Sequence, residues 1–146
     1  WPPGFHTISG EGPGMLRSIA GTDPAAGAEI SESVPTNARW RLLGGFISLA
    51  TSADAGNRRV DIYIDDGSTR LYYYPCEEVQ AASNTWWYFL VPGGIRIPTG
   101  TSRIPLFLPP YCMMFQGWRL RTSTQTIFAA DNYAAPQLWV EEWVED

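Results

Sequence analysis

The sequence contains no lysine, and its one histidine is His6. Those two gaps remove several chemistries at the outset. Without lysine there is no Gly-x-x-x-x-Gly-Lys loop to cradle a nucleotide phosphate. A Ser–His–Asp triad, a Cys–His pair or a multi-histidine zinc site would have to rely on His6 alone. That residue sits in a stretch rich in proline and glycine, WPPGFHTISGEGPG. Long apolar runs are also missing: none approaches the roughly 20 residues of a membrane-spanning helix, so no membrane partner is expected. No basic-then-apolar leader is readable from Trp1 onward. Cysteine is scarce, with only Cys76 and Cys112. A chain of 146 residues is long enough to fold on its core alone, so the two are expected as buried free thiols and not as a required disulfide.

Positive charge is the minority sign. Ten arginines face fifteen acidic residues, for a formal net charge of −5 and a pI near 4.8. That balance lacks the basic stripe a phosphate backbone needs, so nucleic acid is not an expected partner. The exclusive use of arginine fits the codon bias of a GC-rich genome. The competing explanation is selection for interfaces, where the planar guanidinium fork makes paired contacts.

What the chain does have is aromatics and turns. Seven Trp, seven Tyr and six Phe stand beside fourteen Gly and twelve Pro. Flat rings suit pleated surfaces, and the turn residues recur every 8–12 positions or so, the spacing of a sandwich or barrel. Residues 15–20 read as a short strand, and residues 28–34 as a weakly alternating one whose apolar face (Ala28, Ile30, Val34) is interrupted by Glu32. Residues 39–51 form the longest strand. Trp40, Leu42 and Phe46 share one parity there, Leu43, Ile47 and Leu49 the other, with Gly44-Gly45 marking a bulge or bend. Residues 59–64 alternate cleanly, with Val60, Ile62 and Ile64 inward and Asp61 and Tyr63 outward. Asp65-Asp66-Gly67-Ser68 then turns the chain back into residues 70–74. Residues 85–91, 95–97, 104–108, 117–122 and 137–144 complete the strands. One short helical turn is allowed near residues 77–82 or 131–135. The expected architecture is all-β, an antiparallel β-sandwich of jelly-roll type over residues 15–146, preceded by an irregular N-terminal arm over residues 1–14.

Carboxylates supply no convincing catalytic pair. Asp65/Asp66, Glu77/Glu78 and Glu141/Glu142 are neighbours, and neighbours on a strand point to opposite faces, whereas glycoside hydrolysis needs two facing acids. Asp61, Asp65 and Asp66 do not follow the calcium-loop spacing, and a hairpin turn already accounts for them. No cofactor is expected, and the chain does not read as an enzyme. The runs Tyr72-Tyr73-Tyr74 and Trp86-Trp87-Tyr88 fit sugar stacking or core and subunit packing. Alternation sends some of these rings outward in either case.

Leu16-Arg17-Ser18-Ile19 with Pro24-Ala25-Ala26-Gly27, the phrase Val34-Pro35-Thr36-Asn37-Ala38-Arg39-Trp40-Arg41-Leu42, Asn57-Arg58-Arg59-Val60 with Asp66-Gly67, and Ala135-Pro136-Gln137-Leu138-Trp139-Val140-Glu141-Glu142-Trp143 together resemble a group of tailed-bacteriophage virion proteins. The likeness spans most of the chain beyond the first dozen residues. It implies a sandwich fold and a place in the virion, assembled in the bacterial host cytoplasm, as a capsid decoration (cement) protein. The implied partners are further copies of the chain, in a homo-oligomer, and the major capsid or other virion proteins. It carries over no catalytic or ligand-binding residues. A carbohydrate- or host-surface-binding module is the alternative.

Read as a strand, the C-terminal segment puts Leu138, Val140 and Val144 on one face with Glu142, and Trp139 and Trp143 on the other with Glu141. Either the strand is central, with both faces covered by its own domain, or the two tryptophans meet a neighbour. Arg39 and Arg41 are the candidate rim contacts of that interface.

Overall fold

The computed structural model describes residues 12–94 and 102–145. The expected arm over residues 1–14, its His6 and the expected strand at 95–97 lie largely outside that set. Eleven strands form two sheets packed face to face, and no helix occurs among the described residues. The first sheet has the order β1-β11-β3-β6-β7, made of β1 (Met15–Ala20), β11 (Gln137–Val144), β3 (Ala38–Ala50), β6 (Thr85–Pro92) and β7 (Arg103–Leu108). Two short strands, β8 (Cys112–Met114) and β10 (Asn132–Tyr133), also pair with β3. The second sheet runs β2-β9-β4-β5, from β2 (Ser31–Ser33) and β9 (Arg119–Gln125) to β4 (Arg59–Asp65) and β5 (Arg70–Tyr74).

Alternation produces the core. Val60, Ile62 and Ile64 of β4 point into the sandwich and meet Trp40, Leu42, Ile47 and Leu49 of β3, all at most 3% exposed. Burying a side chain of this size contributes about 1.5–3 kcal/mol. β3 is the longest strand because both of its edges are occupied. β11 and then β10 pair along one edge, β8 and then β6 along the other. The hairpin between β4 and β5 closes on the Asp66 carboxylate, which accepts the Ser68 and Thr69 N–H groups at 3.0 and 2.8 Å, while Gly67 supplies φ +104°.

The bulge in β3 is a single residue. Leu42 faces Val140 and Gly44 faces Trp139, which leaves Leu43 between them without a partner on β11. The extra residue inverts the alternation, so that Leu42 and Ile47 both point inward and Phe46 points outward. Gly45 makes the crossing possible. Its φ is +144°, and a Cβ there would stand 2.3 Å from the Gln137 carbonyl oxygen.

Several expectations need correction. Pairing is antiparallel except between β6 and β7, which run parallel. Alternation fixes which face is buried and says nothing of strand direction. The allowed helical turn is absent: residues 131–135 contain β10, and Gln80 instead bridges Arg58 in extended pairing. Of residues 28–34 only Ser31–Ser33 form a strand. Val144, expected on the apolar side with Leu138 and Val140, is 83% exposed, while those two are buried. Cys76 and Cys112 are free thiols in the core.

Between the sheets, one end of the sandwich is closed by a buried ion pair. Arg58 and Asp131 have fully buried side chains. Nε and Nη2 of Arg58 donate to Asp131 Oδ2 and Oδ1 at 2.9 and 3.0 Å. Nη1 donates to the Gly56 carbonyl at 2.7 Å, and the guanidinium lies 4.5 Å over the Phe128 ring. The Ser52 and Phe128 N–H groups also donate to Asp131. Burial alone would raise the Asp131 carboxyl. The Arg58 guanidinium and those N–H donors outweigh it and bring the pKa down to about 2.

Candidate functional site

The outer face of the seven-stranded sheet is the part of the surface that departs from an ordinary soluble protein. Isolated exposed apolar residues are normal, whereas a contiguous group marks an interaction surface. On this face Trp139 (52% exposed), Phe46 (44%), Phe89 (38%) and Trp87 (42%) come from three adjacent strands. Phe46 lies opposite Gln137 on β11 and opposite Phe89 on β6, with the two phenyl centroids 6.3 Å apart. Between Phe46 and Trp139 an open cleft of about 270 Å³ is floored by Gly45 and bordered by Ser18, Gln137 and Leu138. The missing side chain at Gly45 permits the close β3–β11 approach beside the cleft.

All four residues expected at an interface lie on this face, in two different states. β11 places Trp143 opposite Arg39 and Glu141 opposite Arg41. Arg39 lies 4.8 Å over the Trp143 ring and 3.1 Å from Glu145. Arg41 sits 2.8 Å from Glu141 and 5.2 Å over Tyr111. Trp143 donates its Nε1–H to the Gly12 carbonyl at 3.2 Å. Three of the four are thus engaged within the chain as a charged border, and Trp139 presents its ring to solvent.

Sequence reasoning missed Phe46, Phe89 and Trp87 as members of the face. Parity groups Phe46 with Trp40 and Leu42, and a count continued across Gly44-Gly45 sends it to the core. The signal was the glycine pair itself, since a one-residue bulge there exchanges the two faces. The tyrosine and tryptophan runs divide as alternation requires. Tyr72, Tyr74 and Trp86 pack against the core and Tyr88 lies within it, while Tyr73 and Trp87 turn outward.

The pairs Asp65/Asp66 and Glu141/Glu142 are committed to structural contacts. Glu142 accepts the Trp40 Nε1–H at 2.7 Å and pairs with Arg17. Burial would raise its carboxyl, and those two partners hold it below the ordinary value. Glu141 points to the other face, toward Arg41 and the Gly14 N–H. Asp65 is clasped by Arg119 at 2.8 and 2.9 Å, and that clasp, against the opposing effect of burial, lowers its pKa. Asp66 closes its own turn. Among the described residues no three His, Cys, Asp or Glu side chains are grouped to hold a metal ion. Comparison of the chain with protein-family models, with curated proteins and with solved structures returns no match.

Proposed function

We propose that the chain is a non-enzymatic structural protein of a phage virion, which decorates or cements the capsid by self-associating and docking on the shell. The observation that carries this reading is the exposed aromatic group on the outer face of the seven-stranded sheet, centred on Trp139 and Phe46. Large aromatic anchors surrounded by a charged border are what protein interfaces favour, and here Arg39, Arg41 and Trp143 form that border. The seven-stranded sheet presents this group on its outer face, and the resemblance to virion proteins supplies the setting.

Light scattering and co-sedimentation with shells of the cognate major capsid protein test the proposal. Trp139→Ala combined with Trp143→Ala is expected to retain a cooperative fold and to lose association. Phe46→Ser is expected to do the same from the neighbouring strand. A wild-type chain that stays monomeric and ignores the shells would overturn the assembly reading. Saturable binding of a neutral glycan through Trp139 and Trp87 would favour the alternative, a carbohydrate-binding module.

A further inference from the structure

The seven-stranded sheet has two edges, β1 and β7, and they are finished differently. An edge strand presents unpaired N–H and C=O groups, which proteins blunt with proline, bulges, charges or a covering segment. β7 carries Pro105 in mid-strand, and its Phe107 carbonyl accepts the Tyr72 hydroxyl from the other sheet at 2.6 Å. β1 has none of these devices. Its register against β11 runs unbroken from Met15 to Ala20, and it contains no proline. Its one charge, Arg17, is paired with Glu142 at 2.5 Å. Among the described residues no strand pairs with the outer edge of β1, where Met15 and Leu16 are 67% and 61% exposed.

The ladder between β1 and β11 fixes which main-chain groups face outward. In antiparallel pairing, residues alternate between bonding to the partner strand and facing away from it. Gly21 donates its N–H to the Pro136 carbonyl at 2.8 Å, one step beyond the pairing of Ala20 with Gln137. Met15, Arg17 and Ile19 share that parity and bond to β11. Leu16, Ser18 and Ala20 therefore turn their N–H and C=O groups to the outer edge.

Those three residues complement a second copy of themselves. When two β1 strands run antiparallel about a two-fold axis, one register gives all three a partner. Ser18 then meets Ser18 on the axis and Leu16 meets Ala20 on either side, each pair exchanging both main-chain bonds. The same register sets large Leu16 across from small Ala20, and Arg17 across from Ile19. Moving each partner by two residues one way opposes the two Arg17 side chains, which is destabilising; moving it the other way leaves Leu16 without a partner on β1. We propose that two copies of the chain join edge to edge through β1, with Ser18 on the two-fold axis, so that their seven-stranded sheets become one. Trp139 lies opposite Ser18, and both border the aromatic cleft. The joined sheet thus carries both aromatic groups on one side, with a Trp139 flanking the seam in each copy and excluding water from it. The inference deepens the assembly reading and rests on it, naming the contact through which two copies meet.

Sedimentation velocity of the full chain and of single variants tests it, and the wild type is expected to dimerise. Ser18→Pro removes an N–H that points away from β11, a position where an edge strand tolerates proline. It should melt close to the wild-type temperature and weaken dimerisation about tenfold or more, since both copies lose a bond at the axis. Ser18→Cys should cross-link two copies under mild oxidation. The Cα atoms of a bonded antiparallel pair lie about 5.5 Å apart, within the range of a disulfide. Leu16→Cys, whose partner is Ala20, should not cross-link, and the wild type, whose thiols are buried, serves as the blank. A dimer that survives Ser18→Pro and gives no Ser18→Cys cross-link would overturn the edge pairing while leaving association through the aromatic face standing. Equal cross-linking of Leu16→Cys would overturn it as well. So would a wild-type monomer that still binds shells, whereas one that binds none would overturn the assembly reading with it. Dimerisation only after deletion of residues 1–11 would show that the chain's own N-terminal segment occupies the edge, against the proposal.

Discussion

Asp131 and Arg58 lie 73 positions apart in sequence and form one fully buried pair. Nothing near either residue announces the other, so this pair was illegible in the sequence. Asn57-Arg58-Arg59-Val60 reads as the start of a strand, and Asp131 as part of a turn. The pair explains why both charges can be buried: each polar atom around them has a partner. Removing one member leaves the other charge uncompensated, which costs about 3–5 kcal/mol. Asp131→Asn is therefore expected to lower unfolding stability by that amount at neutral pH, measured by urea titration. The pH dependence follows from the direction of the shift. The folded-state pKa is about 2, below the unfolded value of about 3.9. The pair's contribution is thus complete above the unfolded pKa and is lost as pH falls through the folded one. Wild-type stability should fall between about pH 4 and pH 2, and the Asp131→Asn variant should show a shallower slope over that window.

The two thiols make a second prediction at this scale. Burial raises both, Cys112 to about 12, which disfavours the reactive thiolate at each. A disulfide reagent should label Cys76 and Cys112 of the native protein only as fast as the chain opens, and immediately in denaturant. Reducing agent should leave the melting temperature unchanged. Prompt labelling of the native chain would show that the thiols are not enclosed as the structure places them.

At the scale of elements, legibility followed pattern length. Residues 59–64 alternate for long enough to fix their faces, and the Asp-Gly turn joins them to residues 70–74, so the extents of β4 and β5 could be read nearly to the residue. β8 and β10 have three and two residues, too few to show any period. The parallel pairing of β6 with β7 is likewise absent from the sequence, because a period of two is the same in either direction. The candidate face was half legible. Trp139 and Trp143 follow from simple alternation in β11, whereas Phe46 depends on the bulge at Leu43. That bulge yields a direct test. Gly45→Ala adds a Cβ 2.3 Å from the Gln137 carbonyl oxygen at a φ unfavourable to any L side chain. It should destabilise by more than about 1 kcal/mol and disturb the register of β11. Amide exchange of residues 137–144 should rise in Gly45→Ala relative to the wild-type chain.

For the whole molecule, the sheet order separates elements that complete the fold from those that make it. β1 pairs with β11 although 125 positions separate Arg17 from Glu142, so the two ends of the described chain close the seven-stranded sheet. Their contributions differ. β1 is an edge strand, mostly exposed, whose Ile19 alone packs partly against the core. β11 lies between β1 and β3 and carries Leu138 and Val140, 2% and 0% exposed. It also supplies the Glu142 acceptor for the buried Trp40 indole. Deleting residues 1–20 should leave a cooperatively folded domain with a lower melting temperature. It would also expose the edge of β11 beside Trp139, and an uncovered edge invites strand pairing between chains, so the truncated protein should aggregate more readily. Deleting residues 137–146 removes a central strand and two core side chains at once. At about 2–5 kcal/mol for each large aliphatic residue lost from a core, that approaches the entire stability of a domain, about 5–15 kcal/mol. No cooperative thermal transition should remain. Thermal denaturation of the two truncated chains, followed by near-ultraviolet circular dichroism of the core tryptophans and tyrosines, distinguishes the cases. Loss of the transition in both would mean that β1 is as necessary to the sandwich as β11, contrary to what their burial implies.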